Sequence, residues 1–243
     1  PMEYAKALTA HAKEQGLEVP IYTTGANFFV KEPEKELERL CRHSDIAAEC
    51  KIPLLRHDVA WGYYEGYTGI KSYKKVIEAV APFVRQAAEY ARERGVKTCS
   101  ENHGYLLQDS VRMLELFAAV DHPNYGFLCD MGNFTVVDED CATAVSALSD
   151  YIVHVHAKDM LVRSGMNFDP GRGYNLSRGG NYWRGTIFGH GNVPTFQILS
   201  AIRKSGYDGY VSLEFEGMEP VLEGVEIGTQ NLQHMIEVVG KMK

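Results

Sequence analysis

Short apolar runs alternate along this chain with segments of helical periodicity, and that alternation restricts it to folds built on parallel strands. Runs that fit strands lie at 18–23, 53–58, 96–101, 125–130, 151–156 and 210–215. Helical periodicity marks 3–15, 34–50, 72–94, 109–120, 138–149, 194–205 and 225–241. It is clearest between Tyr73 and Arg94, where Val76, Val80, Phe83, Val84, Ala87 and Ala91 recur on one face. Gly16, Gly95 and Gly206 follow helices, where a left-handed closing residue suits glycine. Asp109 and either Asp138 or Asp140 suit N-caps, and Pro194–Thr195 opens a further helix. Strands separated by helices pair in parallel as βαβ units. A doubly wound sheet and a closed (β/α)8 barrel both meet that requirement. No G-x-G-x-x-G or G-x-x-x-x-G-K-[ST] follows a strand, which disfavours a nucleotide-binding sheet. The barrel carries its own difficulty: it needs eight strands, and only six are visible in a chain that opens on a helix.

At 243 residues the chain suits a single α/β barrel domain, 1–243, and a chain of this size buries roughly 70–75% of its unfolded surface without needing a disulfide. A net charge of −7 disfavours nucleic acid and anionic membranes as partners. The five cysteines (41, 50, 99, 129 and 141) form no C-x-x-C pair and read as reduced, small apolar residues. With no signal-peptide pattern and no apolar run of membrane-spanning length, a cytoplasmic location is expected. The stretch 160–193 is rich in Gly, Asn, Arg and aromatic residues and reads as one long irregular segment. A disordered insertion would look similar, but Phe168, Tyr174, Tyr182, Trp183 and Phe188 are unusual in disorder and favour an active-site lid.

Four strands are apolar until a last residue that can bind a metal: Glu101, Asp130, His156 and Glu214. Parallel α/β proteins form their sites at the carboxyl ends of strands, where four such groups would repel or go unpaired without a cation. Three oxygen donors and one nitrogen suit one divalent ion, Mn²⁺ first, with Mg²⁺, Co²⁺ and Zn²⁺ also compatible. Taken singly, each carboxylate also fits a helix cap or a surface charge, and His156 fits a core histidine. His154 shares a strand face with His156 and reads as a core residue or a neighbour of the site. His103 lies two residues past Glu101 and suits a general base, a substrate contact or an ordinary loop histidine. Lys158 and Asp159 follow His156, where they fit either ligand-orienting groups or a surface ion pair. Arg56-His57-Asp58, with Trp61, Tyr63 and Tyr64 beyond it, makes a polar tip beside an aromatic wall that would suit a polyhydroxylated ligand. A capped loop with packing aromatics reads equally well. Glu216, two residues past Glu214, is a rival ligand.

The segments SENHG (100–104), CDMGN (129–133), HVHAKD (154–159) and SLEFEG (212–217), in this order, resemble the xylose isomerase-like TIM barrels, and within them the sugar phosphate isomerase/epimerase family. The resemblance runs from residue 4 to the end. It implies that Glu101, Asp130, His156 and Glu214 hold the metal, and that Arg184 and the Gly189-His190-Gly191 turn belong to the substrate side. Members of the family place a strand, a helix and a second strand before a helix like 3–15, so the expectation is a barrel lacking its first βαβ segment. Related apurinic endonucleases carry Asp-x-x-His where this chain has Asp130-Met131-Gly132-Asn133, and Asp-Arg-His where it has Trp183-Arg184-Gly185. Both departures argue against a DNA-repair enzyme. Ketose 3-epimerases carry a histidine where Asn133 stands. The implied activity is isomerisation or epimerisation of a keto sugar or polyol ketone through an enediolate. Glu101 and Glu214 would transfer the proton, and His57, Trp61, Asn133, Lys158, Arg184 and His190 would contact substrate. The alternative is a lyase or dehydratase using His103 as base; a non-catalytic binding subunit is a third reading. The expected partner is a small sugar, and a homo-oligomer is compatible with the family.

Overall fold

The computed structural model describes residues 2–241. They form two compact units: residues up to Leu107 with Arg112–Phe127, and Gln108–Val111 with residues from Leu128 on.

The first unit opens with α1 (Met2–Glu14), β1 (Ile21–Thr24), α2 (Pro33–Glu49), β2 (Leu54–His57), α3 (Tyr73–Arg92) and β3 (Lys97–Glu101). β1 pairs in parallel with β2, and β2 with β3. The stripe on α3 is what the periodicity requires: Val76, Val80, Val84, Ala87 and Ala91 are all buried. Burying each valine side chain is worth about 1.5–3 kcal/mol as an upper figure. Phe83, at the margin of the stripe, stacks on Phe28. Gly95 closes the segment after α3 at φ +71°, a conformation that disfavours a side chain.

α4 (Ser110–Val120) and β4 (Tyr125–Asp130) follow. Every residue of β4 is buried, as in a strand covered on both faces. The second unit continues with a 3-10 turn (Asn133–Val137), α5 (Cys141–Leu148), β5 (Ile152–Ala157), β6 (Asp159–Arg163), β7 (Asn175–Leu176), β8 (Tyr182–Thr186), α6 (Thr195–Lys204), β9 (Val211–Leu213) and α7 (Val221–Lys241). Asp140 caps α5, its carboxylate accepting from the Thr143 N–H at 2.8 Å. The parallel strands follow the order β1-β2-β3-β4-β5-β9, six strands interleaved with helices as in the βα repeat of a TIM barrel. All five cysteines are free, those at 99, 129 and 141 buried and those at 41 and 50 half-buried. No helix among the described residues is long and apolar enough to cross a membrane.

One expectation needs correction. Residues 160–193 are not one irregular segment, because they contain most of a second, antiparallel sheet ordered β6-β8-β7. β6 and β8 pair from Asp159 against Thr186 to Arg163 against Tyr182. Gly165 lies so close to the Gly180 carbonyl that a Cβ could not fit, so the hairpin depends on glycine at its neck. Asp138 ties the turn down, accepting from Ser177 Oγ at 2.6 Å and Asn181 Nδ2 at 2.7 Å. Met166 and Phe168, near the tip, are almost fully exposed.

Candidate active site

In the second unit the strand ladder itself aligns the chemistry. His156 pairs with Ser212 across β5 and β9. The His156 carbonyl accepts from the Met131 N–H at 3.1 Å, and the Ala157 carbonyl from the Glu214 N–H at 3.0 Å. The last residue of β4, the fifth residue of β5 and the residue after β9 therefore fall at one level. Asp130, His156 and Glu214 each offer a ligand atom there, and these atoms lie within 4.8 Å of one another. The group is acidic, buried or half-buried, and could hold a metal ion.

Asp130 is held from behind, and His156 and Glu214 by each other. Asp130 Oδ1 accepts from the backbone N–H groups of Gly132 and Asn133, both at 2.8 Å, leaving Oδ2 facing the cluster. His156 Nδ1 lies 3.1 Å from Glu214 Oε2. Lys158, almost completely buried, places Nζ 3.0 Å from Asp130 Oδ2, 2.9 Å from Glu214 Oε2, 3.3 Å from Asn133 Oδ1 and 3.4 Å from Glu216 Oε1. Burial opposes ionisation of Glu214, yet His156 and Lys158 hold its carboxyl well below the usual carboxylate range. A group of acids that takes a buried ammonium among its oxygens is chemically suited to a cation, so the donor set fits a divalent ion.

His154 is fully buried with Nε2 2.9 Å from Ser212 Oγ, and burial, with His156 nearby, lowers its pKa to about 4. Arg184 on β8 reaches Glu219 Oε1 at 3.3 Å from both terminal nitrogens, and Thr186 donates to the same oxygen at 3.1 Å. Glu219 was not visible as a site residue in the sequence; the density of acids at 214, 216 and 219 was its only signal. His190 sits exposed on its turn. Asp159 does not orient His156 or present itself to a ligand. Its buried carboxylate accepts from the N–H groups of Met160, Gly189, Gly191 and Val193 and builds the 189–193 turn. Burial raises its pKa despite those four donors. Glu216 is half-exposed and touches the cluster through Lys158.

In the first unit, Arg56 forms a second buried ion cluster. Its guanidinium meets both oxygens of Asp58, at 2.8 and 3.2 Å, and Glu101 Oε2 at 2.8 Å. Asp58 Oδ1 also lies 3.1 Å from His103 Nδ1, and the Trp61 indole hydrogen-bonds the same carboxylate. Burial opposes the Asp58 charge, but His103 and Arg56 keep its pKa low, while the bond to Asp58 raises that of His103. The His103 ring is half-exposed. Trp61 is 60% exposed, whereas Tyr63 and Tyr64 pack around Phe29, so the expected aromatic wall reduces to Trp61. His57 is a second correction. It has no exposed surface, bonds the Asp58 carbonyl through Nδ1 at 2.8 Å, and lies between Phe28 and Tyr125. It belongs to the core rather than to a ligand-contacting surface.

Comparison with known proteins bears on these clusters. Residues 1–238 match the family described as xylose isomerase-like TIM barrel. An inosose dehydratase from Lacticaseibacillus casei is 28% identical over 142 residues, covering 57% of this chain and 47% of that protein. The chain thus spans about half the length of the curated relatives it matches. Among solved structures, a xylose isomerase domain protein from Planctomyces limnophilus superposes with a TM-score of 0.76 at 15% identity, covering all of this chain and 85% of that one. A D-tagatose 3-epimerase-like protein superposes with a TM-score of 0.74 at 18% identity, covering 99% and 85%. At these identities the structural likeness shows the fold, a TIM barrel.

Proposed function

Because the chain belongs to the xylose isomerase-like TIM-barrel family, we propose that it is a divalent-metal-dependent isomerase or epimerase of a keto sugar or related polyol ketone. The observation that carries this reading is the Asp130–His156–Glu214 group with Lys158 among its oxygens. Glu101, which ends β3 in the SENHG motif as Asp130 ends β4, is proposed as the fourth ligand. The ion, Mn²⁺ in the first instance, would supply Lewis acidity toward a ketone and stabilise an enediolate.

The chain's own residues would do the rest. Glu214 is proposed to take the proton from beside the carbonyl, and Glu101 to return it. Lys158, Asn133 and Arg184 carry polar hydrogens suited to sugar oxygens; Glu219 fixes the Arg184 fork. Trp61 offers an exposed ring for the apolar face of a sugar. The β6–β8 hairpin is proposed as the lid that excludes water. On this reading the enzyme is cytoplasmic, and its partner is a small sugar rather than nucleic acid or a membrane.

A second reading, dehydration by the same kind of enolising site, is favoured by one observation. His103 is oriented by Asp58 at 3.1 Å with its ring half-exposed, the arrangement of a general base. The inosose dehydratase relative points the same way. One experiment separates the two. The protein is incubated with Mn²⁺ and a panel of keto sugars and inososes in D₂O, and products are followed by NMR and mass spectrometry. Solvent deuterium entering beside the ketone without loss of water supports isomerisation or epimerisation; loss of water that disappears in His103→Asn supports dehydration. Turnover with neither deuterium entry nor loss of water would exclude both.

A further inference from the structure

Lys158 occupies the place among the acids that a cation would take. Its Nζ contacts Asp130 Oδ2 and Glu214 Oε2, on two of the residues proposed to hold the metal, at 3.0 and 2.9 Å. Room for this is built in. A Cβ on Gly132 would lie 3.0 Å from the Lys158 carbonyl and 3.1 Å from its Cγ, so only glycine lets the lysine stem pass at full ease. Oδ1 of Asp130 is committed to two backbone N–H groups, so the carboxylate cannot rotate away to follow the ammonium.

A divalent ion on the same oxygens would stand close to the largely buried Nζ, where two like charges repel strongly. The ammonium therefore has to leave those oxygens when the ion arrives. Two acceptors lie within its present reach, Asn133 Oδ1 at 3.3 Å and Glu216 Oε1 at 3.4 Å. Glu216 is half-exposed, so the chain can follow the ammonium outward without leaving a buried charge behind.

We propose that Lys158 is a built-in substitute cation: its ammonium balances Asp130 and Glu214 in the metal-free protein, and metal entry drives it onto Glu216 and Asn133. The inference rests on the metal-site reading above and adds that binding is an exchange of cations. Glu216 is then a positioning residue that receives the displaced charge, which accounts for an acid beside the ligand set that is not itself a ligand.

The test is Mn²⁺ binding, by calorimetry and by the electron paramagnetic resonance of free ion, to the full chain and three variants. Lys158→Met, which keeps the stem and removes the charge, should bind Mn²⁺ at least ten-fold more tightly than the wild type and unfold at a lower temperature when metal-free. Glu216→Gln should bind several-fold more weakly. That loss should vanish in the Lys158→Met/Glu216→Gln double variant, because no ammonium remains to be received. Wild-type affinity in Lys158→Met, or a Glu216→Gln loss that persists in the double variant, would overturn the exchange while leaving the metal site standing. Binding in Lys158→Met with none in the wild type would support it; no binding in either would sink both readings. Should Lys158→Met fail to fold, the ¹⁵Nζ resonance of Lys158 in the wild type, assigned with Lys158→Arg, serves instead. It should shift on saturation with Mg²⁺, and an unmoved resonance with Mg²⁺ bound overturns the proposal.

Discussion

Arg56 in the first unit and Lys158 in the second each neutralise a pair of carboxylates at strand ends, but they do it with different chemistry. The Arg56 guanidinium is a planar fork, both of whose terminal nitrogens meet Asp58 while Nη2 also reaches Glu101. Its directions are fixed by the group, and Asp58 is itself locked to His103 and Trp61. The Lys158 ammonium is a point charge on a flexible stem, closest to Glu214 and Asp130 at 2.9 and 3.0 Å, with Asn133 and Glu216 still in reach at 3.3 and 3.4 Å. The first arrangement is a permanent brace and the second an exchangeable one.

Removing the brace should have the largest effect. Arg56→Met leaves Asp58 and Glu101 buried without their cation, which by analogy with broken buried pairs costs about 3–5 kcal/mol. Arg56→Lys restores charge without the fork and should recover only part of that loss in urea unfolding. Added Mn²⁺ should not restore Asp58, whose partners are fixed. Full rescue of Arg56→Met by metal would show that the two clusters are the same kind of device.

Lys158→Met comes next, at roughly 2–3 kcal/mol in the metal-free protein, less than Arg56 because Glu214 and Glu216 keep some solvent. Here saturating Mn²⁺ should return stability to the wild-type level or beyond, since ligand binding adds to the stability of the folded state. Thermal unfolding with and without metal reads the contrast directly.

Acid sharpens the comparison from another side. Burial lowers the pKa of His57 to about 4, from an ordinary value of 6.5. A depressed folded pKa means stability that is fully present above 6.5 and declines as pH falls through 6.5 toward 4, because the unfolded chain takes the proton first. His154 has the same shift and works in the same window. Each contributes a slope of up to about 1.4 kcal/mol per pH unit. His57→Asn keeps a donor near the Nδ1 position and cannot titrate, so the slope between pH 6.5 and 4.5 should fall. Asp58, whose pKa is also lowered, stays charged through this window, so a slope unchanged in His57→Asn would mean that the histidine beside the brace is not held neutral.

Much of this was legible in the sequence, and what was not has definite causes. Asp130, His156 and Glu214 could be read because each follows an apolar run, and parallel pairing forces the ends of such runs to one level. His57 misled because β2 is covered on both faces, where alternation no longer tells inside from outside. The close passage of the Lys158 stem is eased by the absence of a side chain at Gly132, which lies 26 positions earlier and carries no periodic signal. Antiparallel pairing of β6 with β8 was hidden by the glycine-rich residues between them, since no local pattern specifies a partner so far along the chain. Glu219 sits in the irregular segment after β9, where neither helical nor strand period applies.

The smallest expected effect concerns an acid that needs no cation at all. Asp159 is as buried as the carboxylates of either cluster, yet four backbone N–H groups satisfy it and hold the turn at 189–193. If Arg56 and Lys158 matter because buried carboxylates require countercharge, Asp159 shows the alternative solution, in which fixed dipoles replace a mobile ion. Asp159→Asn keeps one carbonyl acceptor of similar shape but loses the charge that strengthens each bond, at a cost of about 1–2 kcal/mol. Burial raises the Asp159 pKa, so part of the charge energy is already spent in the wild type and the loss should stay at the lower end. Hydrogen exchange should quicken at Gly189, Gly191 and Val193 while Asp130 and Glu214 keep their affinity for Mn²⁺. A loss as large as that of Arg56→Met would mean that charge, rather than the geometry of the donors, holds all three sites.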